Sequence, residues 1–364
     1  MVPFLDIRAA YLELKAEIDI AVGRVLDSGW YILGSEVEAF EAEWAEWCGA
    51  YHAVGLGNGL DALILALKAL DVGPGDEVIV PSNTYIATWL AVTAVGARPI
   101  PVEPCPETHN IDVQRIAAAI TSATKVILPV HLYGQPADLD EISALARQHG
   151  IAVVEDAAQA HGARYKGRRI GGHGDVVCWS FYPGKNLGAM GDGGAVTTNR
   201  SDLAERIRVL RNYGSKQKYV NEVQGVNSRL DPLQAAVLRV KLTHLEAWTE
   251  RRSALAAFYS ARLKESEMIL PKVPAWAEPA WHLYVVRAKD RSRLQAHLAE
   301  DGIGTLIHYP IPPHMQGAYQ DLGLAEDSLP VAKRLSQEVV SLPMGPHLAM
   351  CDAQLVIDSI SRFR

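Results

Sequence analysis

Residues 125–156 read KVILPVHLYGQPADLDEISALARQHGIAVVED, and this stretch decides the fold. Val126, Ile127 and Leu128 form a short continuous apolar run, the pattern of a strand covered on both faces. Residues 138–149 carry a helical pattern behind Asp138, a residue type that caps helix N-termini. Residues 151–155 return to a β-branched run. A strand, a helix and a second strand within about thirty residues make one βαβ unit, whose two strands lie parallel in a sheet.

The same alternation extends outward from residue 53 to about residue 200. Further strands are expected at 77–81, 99–102, 176–181 and 194–198, and further helices at 60–71, 84–95, 111–121 and 201–213, with Asp112 as a second cap. The expected architecture is α/β, a mostly parallel sheet sandwiched by helices. Beyond residue 230 a long helix is expected from Pro232 to about Leu263, with Leu233, Ala236, Val237, Val240 and Leu245 at helical spacing. Pro271, Pro274 and Pro279 mark a linker, after which residues 281–288 and helices near 291–301 and 329–341 form a compact α+β piece. Two domains follow, a large one at 1–248 and a small C-terminal one at 249–364.

The composition, 364 residues with 49% hydrophobic and 21% charged, excludes a disordered or fibrous chain. A chain of this size builds a core without disulfide or metal staples. The formal charge of −7 argues against nucleic acid as the main partner, because that partner usually demands a clustered basic face. Cys48, Cys105, Cys178 and Cys351 have no metal-site spacing and are expected as reduced core thiols in a cytoplasmic protein. The opening residues lack a basic stretch followed by an apolar run, so no secretory leader is expected. The longest apolar stretch, 89–97, stops at Arg98 at about half the length of a membrane span, so no membrane partner is expected.

Three segments fall at the ends of expected strands, where parallel sheets hold their ligands. Val54-Gly55-Leu56-Gly57-Asn58-Gly59 is a glycine-rich turn opening a helix, suited to receive an anion on backbone N–H groups. Val153-Val154-Glu155-Asp156-Ala157-Ala158-Gln159-Ala160-His161 delivers Asp156 into a water-poor crevice, where a carboxylate needs a cationic partner unless it serves as a helix cap. Ser180-Phe181-Tyr182-Pro183-Gly184-Lys185-Asn186 places Lys185 in a turn after an apolar strand. A lone lysine is ordinarily a solvated charge, but one held in such a turn can lose its proton and form a Schiff base with an aldehyde.

Taken together, in this order and spacing, these segments resemble the DegT/DnrJ/EryC1/StrS family of sugar aminotransferases, and the resemblance covers nearly the whole chain. Further matches are 34–41 (GSEVEAFE), 225–231 (GVNSRLD) and His308-Tyr309-Pro310. The resemblance implies the aspartate aminotransferase (type I) fold and pyridoxal 5′-phosphate as cofactor, with no metal. It implies that Lys185 forms the Schiff base and that Asp156 pairs with the protonated pyridine nitrogen. Gln159 would lie against the 3-hydroxyl and Tyr85 would stack on the ring, unless Tyr85 is a core aromatic at a helix start. Ser180 and the amides of Asn58 and Gly59 would hold the phosphate, and Asn227 would reach it from a neighbouring subunit, making a homodimer with shared sites. Many members carry Thr-Ser where this chain has Asn58-Gly59, which leaves backbone donation but not a side-chain hydroxyl. His161 reads as a hydrogen-bonded structural histidine or as a substrate contact, and neither His308 nor His314 has metal-ligand spacing.

The implied reaction moves an amino group from L-glutamate to a nucleotide-linked keto sugar. Tyr182, Lys216, Tyr219, Arg229 and His308 are the residues expected at the substrate, with the basic loop 213–219 either meeting a diphosphate or simply solvated. The wording of this loop and of 224–229 is more similar to the branch that aminates C3 of dTDP-3-keto-6-deoxyhexoses than to the C4 branch. The implied product is an amino sugar for a surface polysaccharide, such as lipopolysaccharide O-antigen, or a glycoside. A dehydratase of the same family would carry histidine in place of Lys185, and a non-catalytic sensor would have no need of Lys185, Asp156 and Gln159 together.

Overall fold

The computed structural model describes residues 1–363. Its central seven-stranded sheet consists of β1 (His52–Leu56), β2 (Glu77–Pro81), β3 (Arg98–Val102), β4 (Thr124–Ile127), β5 (Ala152–Asp156), β8 (Val176–Ser180) and β9 (Gly194–Thr198), in the order β1-β9-β8-β5-β4-β2-β3. β2 is parallel to β3 and β4, β4 to β5, and β5 to β8, whereas β9 is antiparallel to both β8 and β1. All strands but β9 therefore point the same way. At the rim β6 (Arg164–Tyr165), β7 (Arg168–Arg169) and β12 (Ala277–Glu278) form a small sheet, β10 (Ser215–Gln217) and β11 (Val220–Asn221) a hairpin, and β13 (Tyr284–Arg287) and β14 (Val339–Leu342) an antiparallel pair.

Helices α1 (Ile7–Glu13), α2 (Lys15–Ser28) and α3 (Ser35–Cys48) precede the sheet, and α4 (Gly59–Ala69), α5 (Ile86–Ala94), α6 (Val113–Ala119), α7 (Leu139–His149) and α8 (Ser201–Leu210) follow its strands. Alternation along β8 shows why two layers form: Val176 and Cys178 pack with Leu63, Leu67 and Trp89 of α4 and α5, while Val177 and Trp179 face Phe40 and Trp44 of α3. The C-terminal part comprises α9 (Pro232–Leu242), α10 (Leu245–Arg262), α11 (Arg291–Glu300), α12 (Pro330–Glu338) and α13 (Met350–Arg362). Leu255 and Tyr259 of α10, Tyr284 and Val286 of β13, and Val356 of α13 build a separate core there.

Several expectations are corrected. The helix expected from Pro232 to Leu263 breaks at Thr243-His244, where the Thr243 hydroxyl bonds back to the Val240 carbonyl at 2.8 Å. The helix near 329–341 ends at Glu338, because β-branched Val339 and Val340 pair with β13 instead. The helix at 201–213 stops at Leu210, and Asn212 bridges to Asn227. The 271–279 segment contributes β12 to the rim sheet. The Asp112 side chain caps α6 through the Gln114 N–H, but that of Asp138 accepts from the Tyr165 hydroxyl. Cys48 and Cys178 lie in the core, whereas Cys105 is half-buried and Cys351 exposed on α13. No helix among the described residues is long and apolar enough to cross a membrane.

Candidate active site

Because their strands run in one direction, the loops after β1, β2, β5 and β8 open on one edge of the sheet. β5 ends in Asp156, which is 6% exposed. Its carboxylate accepts from Thr88 Oγ1 of α5 at 2.9 Å and from the Ala158 N–H at 3.1 Å. Burial raises its pKa, against those hydrogen bonds and the charge of Lys185. No cation contacts it among the described residues, so the partner that such a carboxylate requires must come from a ligand. Glu155 is structural, with Oε2 on His131 Nε2 at 2.9 Å and Oε1 on the Gly174 N–H at 2.5 Å.

β8 delivers Ser180 and then the turn bearing Lys185, which is half-buried. Burial brings the lysine pKa down to about 8, opposed by the charge of Asp156. β1 leads through Gly57 into α4, where Asn58 caps by accepting the Asp61 N–H at 2.8 Å. The Asn58 side chain is thus spent on the cap. A Cβ on Gly59 would lie 2.6 Å from Ser180 Cβ, so Ser180 sits against the first turn of α4 and leaves no space for a serine at 59. The turn is fixed from behind by Ser228, whose hydroxyl accepts the Gly57 N–H at 3.0 Å and donates to Asp61 at 2.7 Å. A hydroxyl beside a helix N-terminus is an anion cradle.

Gln159, 5% exposed, accepts the Tyr133 N–H at 2.5 Å and donates to the Tyr309 hydroxyl at 3.0 Å. The Tyr85 ring lies 5.2 Å from that of Tyr309 and is 55% exposed, which rules out the core-aromatic reading. His308 bonds Ser341 through Nδ1 at 2.8 Å, and burial, with the Lys185 charge, takes its pKa to about 4. His161 departs from the expectation of a hydrogen-bonded histidine: it is buried among Trp44, Trp179 and Phe181, and neither ring nitrogen has a partner. Burial takes its pKa to about 3. His314 is buried and bonds the Glu326 carbonyl.

The structure thus brings Lys185, Asp156, Gln159, Ser180, Asn58, Gly59, Tyr85 and His308 to one edge. Tyr182 is exposed beside Lys185. Lys216 and Tyr219 lie on the β10–β11 hairpin, where Lys216 pairs with Glu205 at 2.9 Å and Tyr219 is solvent-facing with Lys218 over its ring. Arg229 donates to Asn212 at 2.8 Å and covers the Tyr213 ring, and Asn227 is exposed. Thr88 and Tyr133 escaped the sequence reading, and Tyr309 and Ser228 entered it only as parts of matching motifs, with no role. Thr88 lies three residues after Tyr85 at the start of a helix and Tyr309 directly follows His308, so a one-turn offset and an adjacent position were the available signals.

Residues 13–361 match the model of the DegT/DnrJ/EryC1/StrS aminotransferase family. The chain belongs to this family. It is 59% identical over 360 residues to the erythromycin biosynthesis sensory transduction protein EryC1 of Saccharopolyspora erythraea, covering 99% of this chain and 98% of that one. It is 57% identical to the dTDP-3-amino-3,4,6-trideoxy-alpha-D-glucose transaminase of Streptomyces venezuelae, covering 99% and 95%. The solved structure of DesV from S. venezuelae superposes with a TM-score of 0.97 at 56% identity, covering 99% and 97%.

The chain is an aminotransferase and its cofactor is pyridoxal 5′-phosphate. The site fits that group: a buried carboxylate lacking a cation, an amine of lowered pKa, an anion cradle and an exposed aromatic face stand on one edge. Among the described residues no cluster of His, Cys, Asp and Glu could hold a metal.

Proposed function

We propose that this aminotransferase moves an amino group from L-glutamate to C3 of a dTDP-linked 3-keto-6-deoxyhexose, as a cytoplasmic homodimer with shared sites. The observation that carries the reading is Asp156, a buried carboxylate whose two donors leave its charge uncompensated beside a lysine of depressed pKa. The C3 assignment and the dTDP nucleotide are supported by the Streptomyces venezuelae relative, whose name states a dTDP-3-amino sugar. The product amino sugar is destined for a glycoside or for a surface polysaccharide such as lipopolysaccharide.

When bound, the cofactor supplies an aldehyde that carries the amino group and a ring that takes up the electron pair released at the substrate carbon. Asp156 would balance a positive charge at the pyridine nitrogen, and Thr88 and the Ala158 N–H aim its carboxylate and oppose the upward pull of burial on its pKa. Ser180 and the first amides of α4 hold the phosphate, with Asn227 of a second subunit completing that cradle. Gln159, clamped by Tyr133 and Tyr309, would lie against the ring hydroxyl. Lys185 would be the covalent anchor of the cofactor, and its Nζ would serve as the base that takes the proton from the donor's α-carbon. The edge of residues 1–248 forms the site, and residues 249–364 close it through His308 and Tyr309.

The test is spectroscopic. The holoenzyme has a visible band that L-glutamate alone removes and a keto sugar nucleotide restores, and borohydride fixes the cofactor on Lys185. An unchanged spectrum with L-glutamate and other donors sinks the aminotransferase assignment for this chain and favours a sensor. Product NMR with 3-keto and 4-keto dTDP-sugars offered in parallel decides the carbon.

A further inference from the structure

Asn186, the neighbour of Lys185, is 5% exposed and uses both ends of its amide. Its Nδ2 donates to the Ala280 carbonyl at 2.7 Å, which leaves Oδ1 as the acceptor facing His282 Nδ1 at 3.2 Å. That pairing fixes the tautomer: Nδ1 carries the hydrogen. Burial holds the His282 pKa well below the ordinary histidine value, and the charges of Lys185 and Arg252 act in the same direction. The ring is therefore neutral.

The segment carrying His282 is itself held from two further elements. The Ala280 N–H donates to the Gly134 carbonyl at 2.8 Å and the Leu283 N–H to the Tyr133 carbonyl at 3.3 Å. Gly134 has φ +94°, and a Cβ there would lie 2.9 Å from the backbone nitrogen of His282, so only glycine permits this approach. From α10, Arg252 Nη1 donates to the carbonyls of Trp281 at 3.1 Å and His282 at 3.4 Å. Arg252 is 3% exposed and has no carboxylate partner among the described residues. A buried guanidinium spent on two carbonyls is costly and marks a segment whose position matters.

We propose that Asn186 and His282 form a latch that positions Lys185, tying the turn that bears the lysine to the 280–283 segment anchored by Arg252 and Gly134. His282 acts through Asn186 and is a positioning residue, not a catalytic one. The latch holds the amine in its desolvated place, and loosening it lets water reach Nζ. The inference rests on the reading of Lys185 as the reactive amine.

The full-length chain freed of cofactor is reacted with fluorodinitrobenzene as a function of pH, and the labelled Lys185 peptide is quantified by mass spectrometry. The midpoint of the profile gives the amine pKa, about 8 in the unaltered chain. His282→Phe fills the space of the ring but donates nothing, and should raise the midpoint by about one pH unit, as should Asn186→Ala. His282→Asn places an amide nitrogen where Nδ1 was and should keep the midpoint. A midpoint unmoved in His282→Phe and Asn186→Ala, or moved as far in His282→Asn as in His282→Phe, overturns the latch. Should His282→Phe fail to fold by circular dichroism, Asn186→Ala decides alone. Borohydride trapping on Lys185 is independent of these outcomes, so loss of the latch and loss of the underlying reading are told apart.

Discussion

In the proposed reaction two residues, Asp156 and Lys185, set the chemistry, and each is held in an environment that disfavours its charged form. Burial pushes the Asp156 pKa up, and the hydrogen bonds from Thr88 and the Ala158 N–H oppose that shift. Thr88→Val removes one donor to the anion and so raises the carboxyl pKa further. The acid limb of the kcat profile should then move to higher pH, and kcat should fall about tenfold, the weight of one hydrogen bond to a charged group. An unchanged acid limb, measured by pH-rate profile, would count against Asp156 as the ring's partner. Lys185 has its folded pKa depressed from 10.5 to about 8, so the unfolded chain binds more protons between those values and stability rises with pH across that window. Below the lower value the buried cation is a constant penalty. Cofactor-free Lys185→Met should therefore be more stable than the unaltered chain at neutral pH by about 1–2 kcal/mol, after discounting for the partly open cleft. In denaturant melts that difference should shrink as the pH approaches the ordinary lysine value.

At the scale of elements, the glycine turn after β1 is backed by a buried pair that joins α3, the residue following α8 and β1. Glu41 Oε1 accepts the Gly55 N–H at 2.7 Å, and Arg211 donates both to Glu41 at 2.5 Å and to the Gly55 carbonyl at 2.7 Å. Both residues are less than 10% exposed. Arg211→Met leaves the Glu41 carboxylate buried without a cation and should cost about 3–5 kcal/mol in urea denaturation. Glu41→Leu combined with Arg211→Met should recover part of that loss, because no charge is then stranded. This pair shows where sequence reading stops. Asp156, Ser180 and Lys185 were legible because each follows a short apolar run, so strand ends and their loops identify them locally. Glu41 and Arg211 meet across α3 and α8, and His282 meets Asn186 across the fold, with nothing in either local pattern to announce it. The break at Thr243 and the strand at Val339–Leu342 were missed because a hydroxyl bonding backward and a β-branched pair choosing β13 outweigh helical periodicity that otherwise continues. α13 carried a readable signal in Ala353, Val356, Ile357 and Ile360, all buried at helical spacing.

At the scale of the molecule, the net charge of −7 contrasts with an anionic cofactor, and in the proposed site the α4 N-terminus, Ser180 and Lys185 would resolve that contrast locally. Leu26, Trp30, Tyr31 and Ile32 at the end of α2, together with Met190, Tyr213, Tyr219 and Val223, leave large apolar side chains in solvent on the single chain. Exposure on this scale suits a surface covered by a second copy. Asn227, exposed and one residue from the Ser228 that fixes the Gly57 turn, is the residue proposed to cross that interface. If it does, Lys185 of one subunit and Asn227 of the other make one site, and two crippled chains can repair each other. Lys185→Ala should be inactive and Asn227→Ala weakened in cofactor retention. An equimolar, randomly reassembled mixture should regain about a quarter of wild-type turnover at limiting cofactor, since half the dimers are mixed and each mixed dimer holds one intact site. If Asn227 served its own subunit, no mixed dimer would contain an intact site, and the mixture would show only the average of its two parents.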